Sequence, residues 1–460
     1  MPKDLPGLYW DADRNRYFPL ASRPKNAHST ASKPNAQTTS SPNSSPTRRR
    51  IRNAATFDID ARGVFTDAFS GHCRRRNLNA LMARDLLHTS AKQSVKVPLH
   101  SKESRVTAFV AAHRPNFDET ICFVGDNSGC VWSPQDPTDR REFSHFSRED
   151  AWTADFCIGD SAYGCEITSL KASGETYVAT SFGPNNRILV VPHLETQGEA
   201  FLLDPGKTVH EIWTSDFEGN RLVLGADEKA VYYPDLGSSQ SLDRPRVLKT
   251  GSDVFSTCFH GEHLVYTGAR NGTINRFDLR QGGRSSQRLF TGRFDNRPLV
   301  AQRQGQRSSV TNMQVIREWQ LLASHMSGHL ATYDLRFFRE HDPLVVFPGH
   351  VNSLTRRLGI AVDPQEEYLY AAGEDKKIRL WSLQSGQLIS TPETQRLHRV
   401  PGLFQTTFEQ DVSALQVTEG VAKGRRGVLS LWATEGHNIH QYHLGQRAGD
   451  DDDDDDDSDQ

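Results

Sequence analysis

The 460-residue chain is 36% hydrophobic and 24% charged, with a net charge of −3, a globular composition that excludes collagen-like and wholly disordered classes. It has no apolar run long enough to span a bilayer as a helix and no apolar leader, so no membrane partner and an intracellular location, nuclear or cytoplasmic or both, are expected. The six cysteines (Cys73, Cys122, Cys130, Cys157, Cys165 and Cys258) lie far apart with no close metal pair, which reads as a set of reduced thiols.

Residues 1–20 gather Leu8, Tyr9, Trp10, Tyr17 and Phe18 around a short polar loop. Aromatics at that density seldom stay in water, so the stretch is a candidate docking segment, either for a partner or for its own chain. Within a linker taken as 21–73, residues 21–53 are rich in Ser, Thr, Pro and Asn and carry Arg48, Arg49, Arg50 and Arg52. Such a composition buries too little apolar surface to offset chain entropy, so a basic disordered linker is expected. Residues 1–105 hold 19 Lys and Arg against 8 Asp and Glu. That imbalance keeps a second reading open, in which a basic arm contacts nucleic-acid phosphates.

Within 74–104, Leu78, Leu81, Met82 and Leu86 fall at the spacing of one stripe on a short amphipathic helix. A lone short helix is marginal in water, so the stripe needs a surface to rest on, the chain's own or a partner's.

From 105 to 445 one phrase recurs. HLVYTGARNGTINRFDLR ends at Arg280 and LLASHMSGHLATYDLR at Arg336. In each, an apolar strand leads to a turn at Asn271-Gly272 or Ser327-Gly328 and a second strand follows. The Asn-Gly pair reads as a primed hairpin turn with positive φ at both central residues. Degenerate copies occupy 119–134, 175–194, 220–236, 368–383 and 427–444. With the two opening copies these make seven, each preceded by an apolar run read as an inner strand, beginning at Val106, Ile167, Val209, Val254, Val310, Val351 or Val412. Phe277, Tyr333, Trp381 and Tyr442 hold one slot of the repeat, with Pro192 and Pro234 in the same place. Slot spacings run from 42 residues (Pro192 to Pro234) to 61 (Trp381 to Tyr442), the length of a four-stranded blade with variable loops.

On these motifs the chain resembles the WD-repeat β-propeller family. Gly349-His350, Asp375 and Trp381 match the family's Gly-His, turn Asp and closing Trp. The resemblance implies an all-β fold: a seven-bladed propeller over 105–445, a largely disordered N-terminal arm and an acidic disordered tail over 446–460. The N-terminal Pro-Gly-Leu-Tyr-Trp-Asp followed by Asn-Arg-Tyr-Phe is similar to the opening of the WD-repeat protein twenty-one family of cullin-RING ligase substrate receptors. The endings Asp278-Leu279-Arg280 and Asp334-Leu335-Arg336 are similar to the DWD box, by which such propellers engage the ligase adaptor. The resemblance thus implies a non-catalytic receptor that binds the adaptor through Asp278, Arg280, Asp334, Arg336 and a helix carrying Leu78, Leu81, Met82 and Leu86, and presents a protein substrate. The alternatives are that each Arg pairs only with its own blade, or that the chain is a scaffold of a chromatin or RNA complex using the basic arm, with nucleic acid the less favoured partner.

No hydrolase elbow, Walker loop or zincin helix occurs, and no cofactor is expected. His437, His440 and His443 alternate along a strand, so the middle one leaves the face of the other two, and no metal site is assigned to them. The stretch 282–307, rich in Arg, Gly and Gln, reads as a solvated loop.

Overall fold

The computed structural model describes residues 8–11 and 16–19, and then 90–444 except 115–118, 135–151, 159–164, 184–185, 195–199, 207–208, 238–244, 282–285, 292–307, 340–341, 390–402 and 423–424. Residues 1–65 and 66–460 form two separate units. In the first, strands Leu8–Asp11 and Arg16–Pro19 make an antiparallel hairpin in which Tyr9 faces Phe18 and Trp10 faces Tyr17 in register. The second is a seven-bladed β-propeller, as the repeat implied. The stripe of Leu78, Leu81, Met82 and Leu86 lies outside the described residues, as do the basic linker and the acidic tail.

Each blade is an antiparallel meander. Blade 4, for example, runs Val254–His260, Leu264–Ala269, Thr273–Asp278 and Ser286–Thr291, and blade 5 runs Val310–Ile316, Gln320–His325, Leu330–Asp334 and Val345–Val346. Blades 1, 2 and 3 open at Val106, Glu166 and Ile212; blade 6 has three strands among the described residues, Ile360–Val362, Tyr368–Ala372 and Ile378–Ser382. A sheet with one polar and one apolar face cannot stand alone, and here each blade buries both faces against its neighbours. The core is accordingly divided into seven apolar clusters, each bridging two consecutive blades, the last joining Trp432 and Ile439 of blade 7 to Val106 and Phe109 of blade 1.

Blade 7 is completed from the other end of the chain. Its strands Val412–Ala422, Arg425–Glu435 and Asn438–Leu444 are followed, at the outer edge, by Ser90–Lys96. The propeller therefore begins before residue 105, and part of the stretch read as helical is the strand that closes the ring. Alternation places Val95 inward, 2% exposed, among Trp432, Ile439 and Val106, and the added strand covers the edge of Asn438–Leu444.

The hairpin turns differ from the expected primed type. Gly272 has φ of +83° and Gly328 of +80°, whereas Asn271 is not left-handed. Gly272 N–H donates to the carbonyl of Ala269 at 3.0 Å, and Gly328 N–H to that of His325 at 2.9 Å. Each is a type I turn closed by a left-handed glycine bulge, a loop one residue longer than the primed turn. Asn271 is selected for its side chain: Oδ1 accepts from the N–H of Thr273 at 3.0 Å and its hydroxyl at 2.7 Å. A Cβ on Gly328 would meet the carbonyl oxygens of His350 and Asn352 at 3.0 and 3.1 Å. Gly328→Ala should therefore cost at least about 1–2 kcal/mol in denaturant unfolding from the left-handed backbone alone.

Other sequence expectations shift. Val351 and Leu354 are 41% and 80% exposed in a loop, and the inner strand of blade 6 is Ile360–Val362, paired with Leu369–Ala371. Blade 3 likewise starts at Ile212, not Val209. The repeated Val-x-x-Leu phrase has the right composition for a strand, but only residues with a hydrogen-bonding neighbour at that level of the ring become one. Ser286–Thr291, read as loop, is the outer strand of blade 4 and buries Leu289 and Phe290. Cys130 and Cys157 face each other across the third and fourth strands of blade 1 and form a disulfide, Cα–Cα 4.1 Å, contrary to the expected set of reduced thiols. Separation along the sequence hid a direct cross-strand pair. Burial pushes the thiols of Cys122 and Cys258 far up, leaving them inert at neutral pH.

His350 and His440 are 8% and 5% exposed. Burial holds both imidazoles below their ordinary value, outweighing the Ala372 carbonyl on His350 and the Glu435 carboxylate 3.2 Å from His440. Both therefore stay neutral in the folded chain at pH values where the unfolded chain, titrating near 6.5, already takes up protons. Unfolding binds protons in that window, so stability falls as pH drops below about 6.5. Thermal melting at pH 7.5 and 5.5 should show this loss, and it should shrink in His350→Gln/His440→Gln.

Candidate functional site

Within each blade neighbouring strands are antiparallel, so the first and third run one way and the second, and the fourth where present, run the other. The turns between second and third strands and the links between blades thus share one face, here the entry face. The turns joining first to second and third to fourth strands share the opposite, far face. Asp278 and Asp334 end third strands, so the two Asp-Leu-Arg endings stand at equivalent points of consecutive blades on the far face.

The geometry at the two sites is nearly superposable in its bonding. The leucine goes in, its N–H donating across the hairpin: Leu279 to the carbonyl of His263 at 2.7 Å and Leu335 to that of Trp319 at 2.8 Å. The preceding aromatic goes in too, with Phe277 and Tyr333 each 1% exposed, as the repeat predicts. The arginine goes out. Arg280 Nε and Nη2 donate to the two Asp278 carboxylate oxygens at 3.0 and 2.7 Å, and the Arg280 backbone N–H adds a third bond at 3.0 Å. Arg336 repeats this on Asp334 at 3.2 and 3.1 Å, with its N–H at 2.8 Å.

Each arginine therefore does pair with its own blade, but neither is buried by it. The Arg280 and Arg336 side chains are 65% and 54% exposed. A side-on pair uses two of the five guanidinium N–H groups, leaving the Nη1 edge for another acceptor. The carboxylate acts as a strut, fixing a long side chain that would otherwise lose rotamer freedom on docking. Hydrogen bonds from Arg280 hold the Asp278 carboxyl well below the usual range, at about 2, and Arg336 likewise lowers Asp334. Both struts are thus ionised throughout neutral and mildly acidic pH.

The surroundings extend the patch. Arg336 lies over the Trp319 ring, 3.8 Å from its centroid, and Phe337 beside it is 77% exposed. From blade 3, Arg246 donates to the carbonyl of Leu279, and Arg221 to that of Glu262 at 2.6 Å. Exposed guanidinium groups beside exposed aromatic surface are the composition of an interface core. The sequence reading overlooked Trp319, which sits outside the repeated motif, in a turn where Arg317 and Glu318 both have positive φ.

Other candidates resolve differently. The propeller's Gly-His, turn Asp and Trp in blade 6 do not form one chain of hydrogen bonds: Trp381 Nε1 donates to the carbonyl of Pro348 at 2.9 Å, His350 Nε2 pairs with the Ala372 carbonyl, and Asp375 pairs with Arg379. Alternation separates His440 from His443, as expected of a strand, whereas His437 lies in the turn before it and not in the strand. His100, Cys130 and Cys157 are the one metal-sized donor group among the described residues, and the disulfide withdraws both sulfurs from ligation. The sequence reading also passed over Arg356 and Arg357, which sit outside the repeat on the link into blade 6. The proposed docking role of Leu8, Tyr9, Trp10, Tyr17 and Phe18 rests on the hairpin alone.

Residues 240–407, which include both Asp-Leu-Arg endings, match the family model of the DDB1- and CUL4-associated factor 4 beta-propeller domain. DDB1- and CUL4-associated factor 4 of Bos taurus is 30% identical over 184 residues, 39% of this chain and 32% of that protein. WD repeat-containing protein 21 of Schizosaccharomyces pombe is 28% identical over 139 residues, 29% of this chain and 30% of that one. The matches thus span about a third of the length of these curated relatives. Among solved structures, the WD40 beta propeller domain of Doa1 aligns with a TM-score of 0.50 and 14% identity, covering 77% of this chain and 97% of that one, a likeness of fold.

Proposed function

The chain is a WD-repeat β-propeller related to DDB1- and CUL4-associated factor 4, and on that footing we propose that it is a substrate receptor of a cullin-RING ubiquitin ligase, docking on the adaptor DDB1 through Arg280 and Arg336. The observation that carries this reading is the pair of equivalent, outward guanidinium groups, each braced by its own aspartate, at one level of the far face. Two such groups on consecutive blades offer fixed donors to carboxylates or main-chain carbonyls of a partner, with Phe337 and Trp319 supplying apolar contact. The helix stripe of Leu78, Leu81, Met82 and Leu86 is assigned to the same partner by resemblance.

In this role the propeller makes and breaks no bonds. It raises the local concentration of a target beside the ubiquitin-charged enzyme, with the opposite face left to hold that target. Co-expression with DDB1 followed by size-exclusion chromatography tests the proposal. A complex co-eluting at moderate salt is expected; two separate peaks would contradict it.

A further inference from the structure

The face opposite the adaptor-docking arginines carries a second arginine pair with unusual surroundings. The link into blade 6 is fastened at Ser353, whose N–H and hydroxyl both donate to Glu374, and by the mutual bonds of Asn352 and Thr355. From there the chain sends Arg356 and Arg357 across the channel mouth. Arg357 reaches Glu166 at the start of blade 2. Arg356 lies over the rings of Trp213 and Phe255, which open blades 3 and 4, at 4.6 and 5.5 Å from their centroids. Trp213 in turn packs on Phe182 of blade 2 and edge-on to Phe255. The short loop leading into blade 6 thus gathers groups from three other blades at the entry face.

The polar groups gathered there are out of balance, and all in one direction. Arg356 stacks by its face, which leaves its in-plane N–H groups unused, and no carboxylate pairs with it among the described residues. Trp213 Nε1 and Arg357 Nη2 are buried with no hydrogen-bond partner. Burial and the neighbouring Arg357 pull Arg356 down to about 10, and Arg105 adds to the positive field at Arg357. A buried donor without an acceptor is costly. Among the described residues Glu166 is the acid set against these groups.

We propose that this channel mouth binds an acidic side chain of a peptide segment, received by Arg356, Arg357 and the indole N–H of Trp213. The unpaired groups are all donors, so the ligand they lack is an acceptor, and the paired guanidinium groups select a carboxylate. The aromatic floor keeps Arg356 fixed and partly dry, which strengthens the pairing. Glu166 then acts as an internal competitor that holds Arg357 until a ligand carboxylate replaces it. The inference deepens the receptor reading, since it names the chemistry of a presented segment. It is tested on the purified chain without the adaptor, so its failure and the failure of DDB1 docking are separate results.

The probe is a fluorescent glycine-serine peptide with a central Glu-Glu pair, titrated with the full chain and read by anisotropy, beside its Gln-Gln twin. The Glu peptide should bind at least about tenfold tighter than the twin. Arg356→Gln with Arg357→Gln should abolish the difference. Glu166→Gln, which removes no arginine and is nearly isosteric, should tighten the Glu peptide severalfold, an effect a purely structural ion pair would not give. Equal binding of the two peptides, or weaker binding of the Glu peptide by Glu166→Gln, overturns the proposal. So does an oligothymidylate that binds through these arginines while the Glu peptide does not, which would assign the site to nucleic acid.

Discussion

Replacing Arg280 and Arg336 together by alanine should reduce recovery of DDB1 by at least about tenfold while leaving the melting temperature within a few degrees of the parent. The two halves of that expectation have different physical sources. Both arginine side chains are more than half exposed, while their Asp278 and Asp334 partners are 18% and 15% exposed and keep the backbone N–H bonds of 280 and 336, so loss of the guanidinium groups hardly touches the core, and ion pairs open to solvent on one side add little to stability. At an interface the same groups would be desolvated against the partner's acceptors, where truncating a charged hydrogen-bond donor weakens binding by one or more orders of magnitude. Lysine at both positions should rescue only in part, because a single ammonium cannot hold its own aspartate side-on and still present a fixed second edge. Since Asp278 and Asp334 remain ionised, complex recovery should be flat between about pH 5 and 8 on their account. A basic arm gripping phosphates would instead give binding that collapses as salt rises.

The second large effect concerns closure of the ring. Val95→Asp should destabilise the propeller by about 3–5 kcal/mol, the cost of placing an unpaired charge in a dry core. That core is shared: Val95 sits with Trp432 and Ile439 of its own blade and with Val106 of blade 1. Loss of this strand's seat opens the one seam held by two distant parts of the chain rather than by a continuous connection. Blade 7 would then present the free edge of Asn438–Leu444, so a concentration-dependent rise in light scattering should accompany the earlier melt. Lys92→Asp, on the same strand but outside that cluster, is the matching control and should melt near the parent. Equal melting of the Val95→Asp protein and the parent would mean that Ser90–Lys96 contributes nothing to the ring.

How much of this was legible in the residues depends on the range of the signal. The hairpin of each blade is local, and its alternation, turn glycine and inward aromatic were readable from Leu264 to Asp278 and again from Gln320 to Asp334. The number of blades followed by repetition. What is set by distant partners was not readable. Ser90–Lys96 is a strand because Asn438–Leu444 lies beside it, and Cys130 meets Cys157 because a strand register brings them together. The phrase at Val351 resembles the other inner strands, yet the ring pairs Ile360–Val362 in its place. The Asp-Leu-Arg endings were visible as motifs, but whether the arginine points inward or outward is decided by strand geometry. The channel-mouth group of Glu166, Trp213, Arg356 and Arg357 has no spacing rule at all, since its members come from three blades and meet only at the axis.

Docking of DDB1 on the two arginine endings is read out by hydrogen exchange of the purified chain with and without DDB1. Slowed exchange at the amides of 279–281 and 335–337 and little change over 353–357 are expected. Protection confined to the channel mouth, with the two arginine endings exchanging as in the free chain, would contradict it.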